Sequence, residues 1–166
     1  MDLWTLLCRC WAHKKRPRVT LEDPKVCQDV MAAVLEPLPS PAPRIIFIST
    51  TGVDAGMTDV PCLMRPIYRY VLHVPHADKQ KAESLLEQKP EVKERIIVRA
   101  AALTDGTSRG WGQSVDAPHP SPSSHCIAQE GKSRGYTISR RDVGEFVAMQ
   151  AAQTSKWVNK SVVISN

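Results

Sequence analysis

Lys79 and the run Ser49-Thr50-Thr51 are the side chains whose chemistry best suits a polar ligand. A lysine on a helix beside a sheet's carboxyl edge donates hydrogen bonds to ribose hydroxyls, and its charge lowers the pKa of a neighbouring acid. The alternative reading of Lys79 is a solvated helix lysine paired with Glu83, four residues further along the same surface. Tyr68 and Tyr70 offer phenols, yet no tyrosine is followed four residues later by lysine, so the same-face tyrosine–lysine pair is absent. Tyr136 has Arg140 at that spacing, and a structural role is expected for it. His73 and His76 lie three apart with Pro75 between them, which argues against a shared metal. Cys8, Cys10 and His13 lack a second ligand pair, and His119 and His125 have no visible partner, so no metal site is expected. Ser49 has no recognisable histidine–acid arrangement around it, so nucleophilic catalysis is unsupported. Asp142 reads as a helix-start carboxylate more readily than as a catalytic acid.

These residues need elements to hold them. Ile45 to Ile48 is a continuous apolar run between a proline-rich link (37–43) and Gly52. Such a run reads as a strand buried on both faces, as in parallel sheets covered by helices. Ligands bind beyond the carboxyl ends of such strands, and here that end carries Ser49, Thr50 and Thr51. A helix over 23–36 is expected before it, with Asp23 as N-cap, Pro24 at its first position and Pro37 as its stop. Val26, Val30, Ala33 and Val34 would form its buried face. Residues 53–77 read as a long connection in which Ile67 to Val74 could form a short helix before Pro75 interrupts it. A clearer helix covers 77–88, with Ala82, Leu85 and Leu86 facing a core. Arg95 to Ala100 is a second buried strand, and strand, helix and strand at this spacing suggest a βαβ crossover. Residues 106–135 are dense in Gly, Ser and Pro and read as a loop excursion. Tyr136 to Ile138 is extended, Ser139-Arg-Arg-Asp142 matches a helix-start box, and a helix over 141–153 presents Val143, Phe146 and Val147. A last strand runs from Ser161 to Ile164.

At 166 residues one domain is the prior, with a core large enough to bury. The net charge of +5 is partly concentrated in Lys14-Lys15-Arg16-Pro17-Arg18, so it does not make a nucleic-acid surface. Five irregularly spaced cysteines imply no disulfide framework, and reduced thiols fit a cytoplasmic protein. No run approaches the length of a membrane span. Residues 1–19 differ from the rest: Leu3, Trp4, Leu6, Leu7 and Trp11 precede the basic run. An interfacial anchor or a nuclear-localisation-like cluster are functional readings of that stretch, and an atypical N-terminal extension is the plainer one. No G-x-G-x-x-G and no Gly-rich loop ending in Lys-Ser/Thr occurs; Gly106, Gly110 and Gly112 lead into proline-rich sequence instead.

Four segments occur in order: Arg44-Ile-Ile-Phe-Ile-Ser-Thr-Thr-Gly-Val53, His73-Val-Pro-His-Ala-Asp-Lys79 with Glu83, Val98-Arg-Ala-Ala-Ala-Leu-Thr-Asp-Gly106 and Tyr136-Thr-Ile-Ser-Arg-Arg-Asp-Val-Gly144. Together with Leu21 to Gln28 they resemble the C-terminal half of the atypical short-chain dehydrogenases, the NmrA-like or flavin-reductase-like NAD(P)-binding proteins abundant in filamentous fungi. The resemblance covers about residues 20–165. It implies an α/β fold, an incomplete doubly wound (Rossmann-like) parallel sheet lacking the N-terminal glycine-rich βαβ unit. Residues 20–166 would then be the C-terminal part of an NAD(P)-binding domain, and the product a truncated one. It also implies hydride transfer with NAD(P) to a small organic substrate, within specialised metabolism. Ser49, Thr50, Thr51 and Lys79 would border the cofactor, Lys79 would serve the catalytic role, and Ala101, Ala102, Leu103 and Thr104 would line the substrate side. The family's usual Arg-Pro is Arg99-Ala100 here. The other expectation is a non-catalytic remnant or regulatory binding module, and loss of a first strand would favour self-association through an exposed sheet edge.

Overall fold

A computed structural model of the chain describes residues 22–54, 56–111, 126–131, 133–152 and 155–166. The expectations for residues 1–19, His119 and His125 lie outside the described residues. Strand β1 (Ile45–Thr50) runs parallel to β2 (Arg95–Ala100), paired in register from Ile45 opposite Arg95 to Thr50 opposite Ala100. On its other side β2 runs parallel to β6 (Lys160–Ser165), and β4 (Ile127–Gln129) closes the far edge antiparallel to β6. The sheet order is β1-β2-β6-β4, and β3 (Ala102–Thr104) forms a separate two-stranded parallel ribbon with β5 (Thr137–Ser139).

Side-chain alternation along the strands sends each face to a different helix layer. Ile45, Phe47 and Ile97 pack with Met31 and Leu35 of α1 (Val26–Leu35) and with Ala82 and Leu86 of α3 (His73–Gln88). Ile46, Ile96, Val98, Val162 and Ile164 pack on the opposite face with Val143 and Phe146 of α4 (Arg140–Ala152) and with Trp157. A short helix, α2 (Arg65–Tyr70), lies between β1 and α3. The molecule is therefore the α/β, Rossmann-like arrangement expected, with helices on both faces of a mainly parallel sheet. Among the described residues no helix is long and apolar enough to cross a membrane.

Five details differ from the sequence reading. β1 is not buried on both faces: Ile48 is 44% exposed, because β1 has one strand neighbour among the described residues and forms an edge. α1 buries Met31 and Leu35 and leaves Val26, Val30 and Val34 at least 48% exposed. The helix carries two adjacent apolar stripes, and the one that meets Ala82 and Leu86 takes the core. Its first turn is not capped by Asp23, whose Oδ1 accepts only from the Lys25 N–H; instead Asp78 of α3 accepts the N–H groups of Cys27 (2.8 Å) and Gln28 (2.9 Å). Those hydrogen bonds outweigh the burial of Asp78 and hold its carboxyl below the usual range. α3 starts at His73 and not 77, because Pro75 falls in the first turn, where a missing N–H breaks no intrahelical bond. Finally, Ile127–Gln129 inside the expected loop excursion is a strand, satisfied by pairing with β6.

Asp142 is the helix-start carboxylate expected, and it does more than cap. It is fully buried, and its Oδ2 accepts the Ser139 hydroxyl (2.7 Å) while Ser139 Oγ accepts the Asp142 N–H (3.0 Å). Oδ1 accepts the Ser108 hydroxyl (2.6 Å) and the Gly110 N–H (3.1 Å), so one carboxylate closes both α4 and the turn after β3. Burial alone would raise its pKa, but these donors pull it down to about 2. Nearby, burial first and the Asp142 charge second push the Cys126 thiol up to about 12, so it stays protonated and unreactive. Gly135 lies where the end of β6 passes: a Cβ there would sit 1.5 Å from the Asn166 carbonyl oxygen.

Because the folded Asp142 carboxyl titrates near 2 and an unfolded one near 3.8, its contribution is present above pH 4 and lost as pH falls toward 2. The difference amounts to about 2 kcal/mol. Urea unfolding of wild type and Asp142→Asn at pH 7, 4 and 2 checks this: the gap in stability is expected to shrink by about that much between pH 4 and pH 2.

Candidate functional site

The carboxyl end of β1 carries its hydroxyls to two different faces. Ser49 follows Ile45 and Phe47 onto the α1/α3 face, is buried, and lies opposite Arg99 of β2 in the ladder. Thr50 points the other way and donates its hydroxyl to the Ala100 carbonyl (3.3 Å). The Thr51 N–H donates to the same carbonyl (3.0 Å), and its buried hydroxyl meets the Tyr68 hydroxyl of α2 at 3.2 Å. The chain then turns at Gly52, whose φ of +83° and close approach to the Tyr68 ring (2.2 Å for an added Cβ) leave no room for a side chain.

α3 covers this tip antiparallel to β1. Ala82 and Leu86 lie over the lower part of the strand, and the Lys79 ammonium lies 5.8 Å from the Phe47 ring centroid. One helical turn earlier, His76 is buried and packs on Tyr68 with centroids 5.1 Å apart. A helical turn spans nearly the same length as two strand residues, which brings His76 to about the level of Ser49. Burial first, and the Lys79 charge second, lower the His76 pKa, so the imidazole is neutral at pH 7.

An ion-pair network fixes the height of α3 against β2. Arg99 donates to Glu83 through Nε (3.3 Å) and Nη2 (2.7 Å), and its Nη1 is 4.0 Å from Asp59 Oδ2. Burial disfavours the Arg99 charge, but Glu83 outweighs it and the pKa rises. Asp59 Oδ1 accepts the Gly52 N–H (3.0 Å), and burial raises the Asp59 pKa despite that bond and Arg99. Three buried polar atoms at this end, Ser49 Oγ, Asp59 Oδ2 and His76 Nδ1, have no hydrogen-bond partner. Buried groups are ordinarily satisfied, so three together mark a place where a polar ligand could be read.

Of the residues singled out from sequence, Ser49, Thr51 and Lys79 come together on the α3 side, and Thr50 stands on the opposite face of β1. Lys79 is half-buried over Phe47 and not paired with Glu83, whose carboxylate is taken by Arg99. Ala101 is a core residue; Ala102 and Leu103 are exposed on the β3 ribbon, and Thr104 donates to the Ile138 carbonyl (3.4 Å). Tyr70 and Tyr136 are exposed, and Arg140 pairs with Asp105 at 2.6 Å. The sequence reading did not assign Asp59, Glu83 or Arg99 to the site. Its available signal was a charge at an alternation position of an apolar strand, Arg99, and another on the core side of an amphipathic helix, Glu83.

No family model matches the chain. In sequence it is 33% identical over 163 residues to Reductase pytE of Aspergillus terreus, covering 88% of this chain and 59% of that protein. It is 30% identical over 168 residues to Oxidase pynE of Aspergillus niger, covering 87% of this chain and 58% of that protein. The chain thus spans somewhat under two thirds of the length of the curated relatives it matches. In fold it resembles a short-chain dehydrogenase/reductase from Veillonella parvula solved in complex with NADP, with TM-score 0.58 at 14% identity, over 89% of this chain and 60% of that one. The oxidoreductase ylbE from Lactococcus lactis superposes with TM-score 0.55 at 16% identity, over 84% of this chain and 52% of that one.

Replacing Arg99 by Met would strand the Glu83 and Asp59 carboxylates in a buried site. A loss of about 3–5 kcal/mol is expected, and Glu83→Gln in the same chain should recover part of it. Chemical denaturation of the two single variants and the double variant measures that coupling.

Proposed function

We propose that this chain, which belongs to the atypical short-chain dehydrogenase/reductase family, acts as an NAD(P)-dependent oxidoreductase on a small organic substrate. The observation that carries this reading is the parallel register of β1 and β2, which sets Ser49 opposite Arg99 at the carboxyl edge of a Rossmann-like sheet. The reductase and oxidase names of the sequence relatives support the same class.

The residues present fit the nicotinamide end of such a cofactor. Ser49 Oγ is a buried hydroxyl without a partner, and Lys79 is a half-buried ammonium on the same side of β1. In this reading both hydrogen-bond the nicotinamide ribose. Bound NAD(P) supplies the hydride. The Thr51–Tyr68 hydroxyl pair and the neutral His76 imidazole are the groups able to hold a proton near that point. Arg99 acts through position alone, by holding Glu83 and so α3. A second reading is a binding module without turnover. The outer edge of β1 has no strand partner among the described residues, and in this reading it is where copies of the chain associate.

Calorimetric titration of the purified chain with NADPH and with NADH is expected to give saturable binding below millimolar, weakened about tenfold by Lys79→Met. An absence of saturation would remove the enzyme reading, and binding without consumption of the reduced cofactor in the presence of aldehydes and ketones would favour the module. Sedimentation velocity across a hundredfold concentration range is expected to show a dimer that Ile48→Lys on β1 reduces; an unchanging monomer would remove edge pairing.

A further inference from the structure

We infer that the cavity beside α2 binds an oxyanion carried on an apolar organic body, a carboxylate or a phosphate ester. This assigns a substrate class to the oxidoreductase reading above and rests on it. The cavity measures about 310 Å³, and Arg65 and Arg69 stand on its wall one helical turn apart. Met57, Pro66 and Tyr70 supply its apolar surface, and among the described residues no carboxylate lines it. Several arginines elsewhere are neutralised in place. Arg44, Arg99, Arg140 and Arg141 each meet an acidic side chain, whereas Arg65 donates only through Nε to the Val60 carbonyl (3.3 Å) and Arg69 makes no ion pair among the described residues. Two guanidiniums in one concave site without an acid repel each other and favour an anion that bridges them.

The position suits a substrate. α2 turns Tyr68 inward to Thr51 and turns Arg65, Arg69 and Tyr70 toward the cavity, so a single helix forms one wall of both sites. The loop that leads from β1's tip contributes Gly56 and Met57 to the lining. Met57 there has φ 47°, a backbone conformation uncommon for a side chain of its size. A molecule whose anionic end meets Arg65 and Arg69 would lie along α2 toward the Thr51–Tyr68 hydroxyls.

Binding is tested on the whole chain without cofactor, at low salt, by calorimetry and amide chemical shifts. The probes are 2-naphthoate, 2-naphthyl phosphate, 2-naphthamide and inorganic phosphate. Saturable binding of one or both naphthyl anions is expected, at least about tenfold tighter than the neutral amide or phosphate alone, and about tenfold weaker in the Arg65→Gln/Arg69→Gln double variant. The tighter of the two naphthyl anions identifies the oxyanion. Arg69→Gln alone, at an exposed position, serves if the double variant does not fold, with an expected loss of at least threefold. Equal binding of the amide, unchanged binding in the variants or no saturable binding of either anion overturns the inference. Because no cofactor is present, such a result leaves the NADPH titration standing, and a failed NADPH titration leaves this one standing.

Discussion

The bidentate contact between Arg99 and Glu83 is the constraint on which the candidate site depends. It joins the tip of β2 to the third turn of α3 in a largely buried setting, where neither charge is tolerable alone. Apolar packing by Ala82 and Leu86 holds α3 against the sheet but leaves it free to slide by small steps, because dispersion is not directional. A two-pronged guanidinium–carboxylate bond removes that freedom. Glu83 on Arg99 and Asp78 on the α1 amides together set where Lys79 and His76 stand.

The sheet supplies the other half of the geometry. Parallel pairing of β1 and β2 without a register offset brings Ser49 and Arg99 side by side, and α3 packs His76 on Tyr68, whose hydroxyl meets Thr51. On the opposite face α4 and Trp157 fill the core with apolar groups, so the polar cluster is confined to one side. Asp142 fixes α4 and the 108–110 turn in the way Arg99 fixes α3: a single buried charge surrounded by partners at the junction of two segments.

The parallel sheet was legible because Ile45–Ile48 and Arg95–Ala100 are apolar runs bounded by turn residues, a signal that survives without tertiary information. The helix-start box at Ser139 was legible for the same reason, its spacing being local. The buried face of α1 was not. Val26, Val30 and Val34 are as apolar as Cys27, Met31 and Leu35, and only the presence of Ala82 and Leu86 opposite decides between the stripes. The cap on α1 comes from Asp78, some fifty residues away, and no local pattern announces it. The pairing of Lys79 with Glu83 failed on competition: the spacing permits it, but a guanidinium offering two parallel bonds outcompetes an ammonium. Ile127–Gln129 was hidden because its strand character comes from β6 and not from its own residues.

Asp78 and Lys79 are consecutive residues with separate duties. Asp78 grips the first amides of α1, and Lys79 reaches over Phe47 toward the sheet's tip. Any pull on the lysine is therefore transmitted through one peptide unit to the opening turn of a helix on the molecule's surface. The Cys27 and Gln28 amides, which in an uncapped helix would trade their protons with solvent freely, become slow-exchanging sentinels of what happens at the sheet edge.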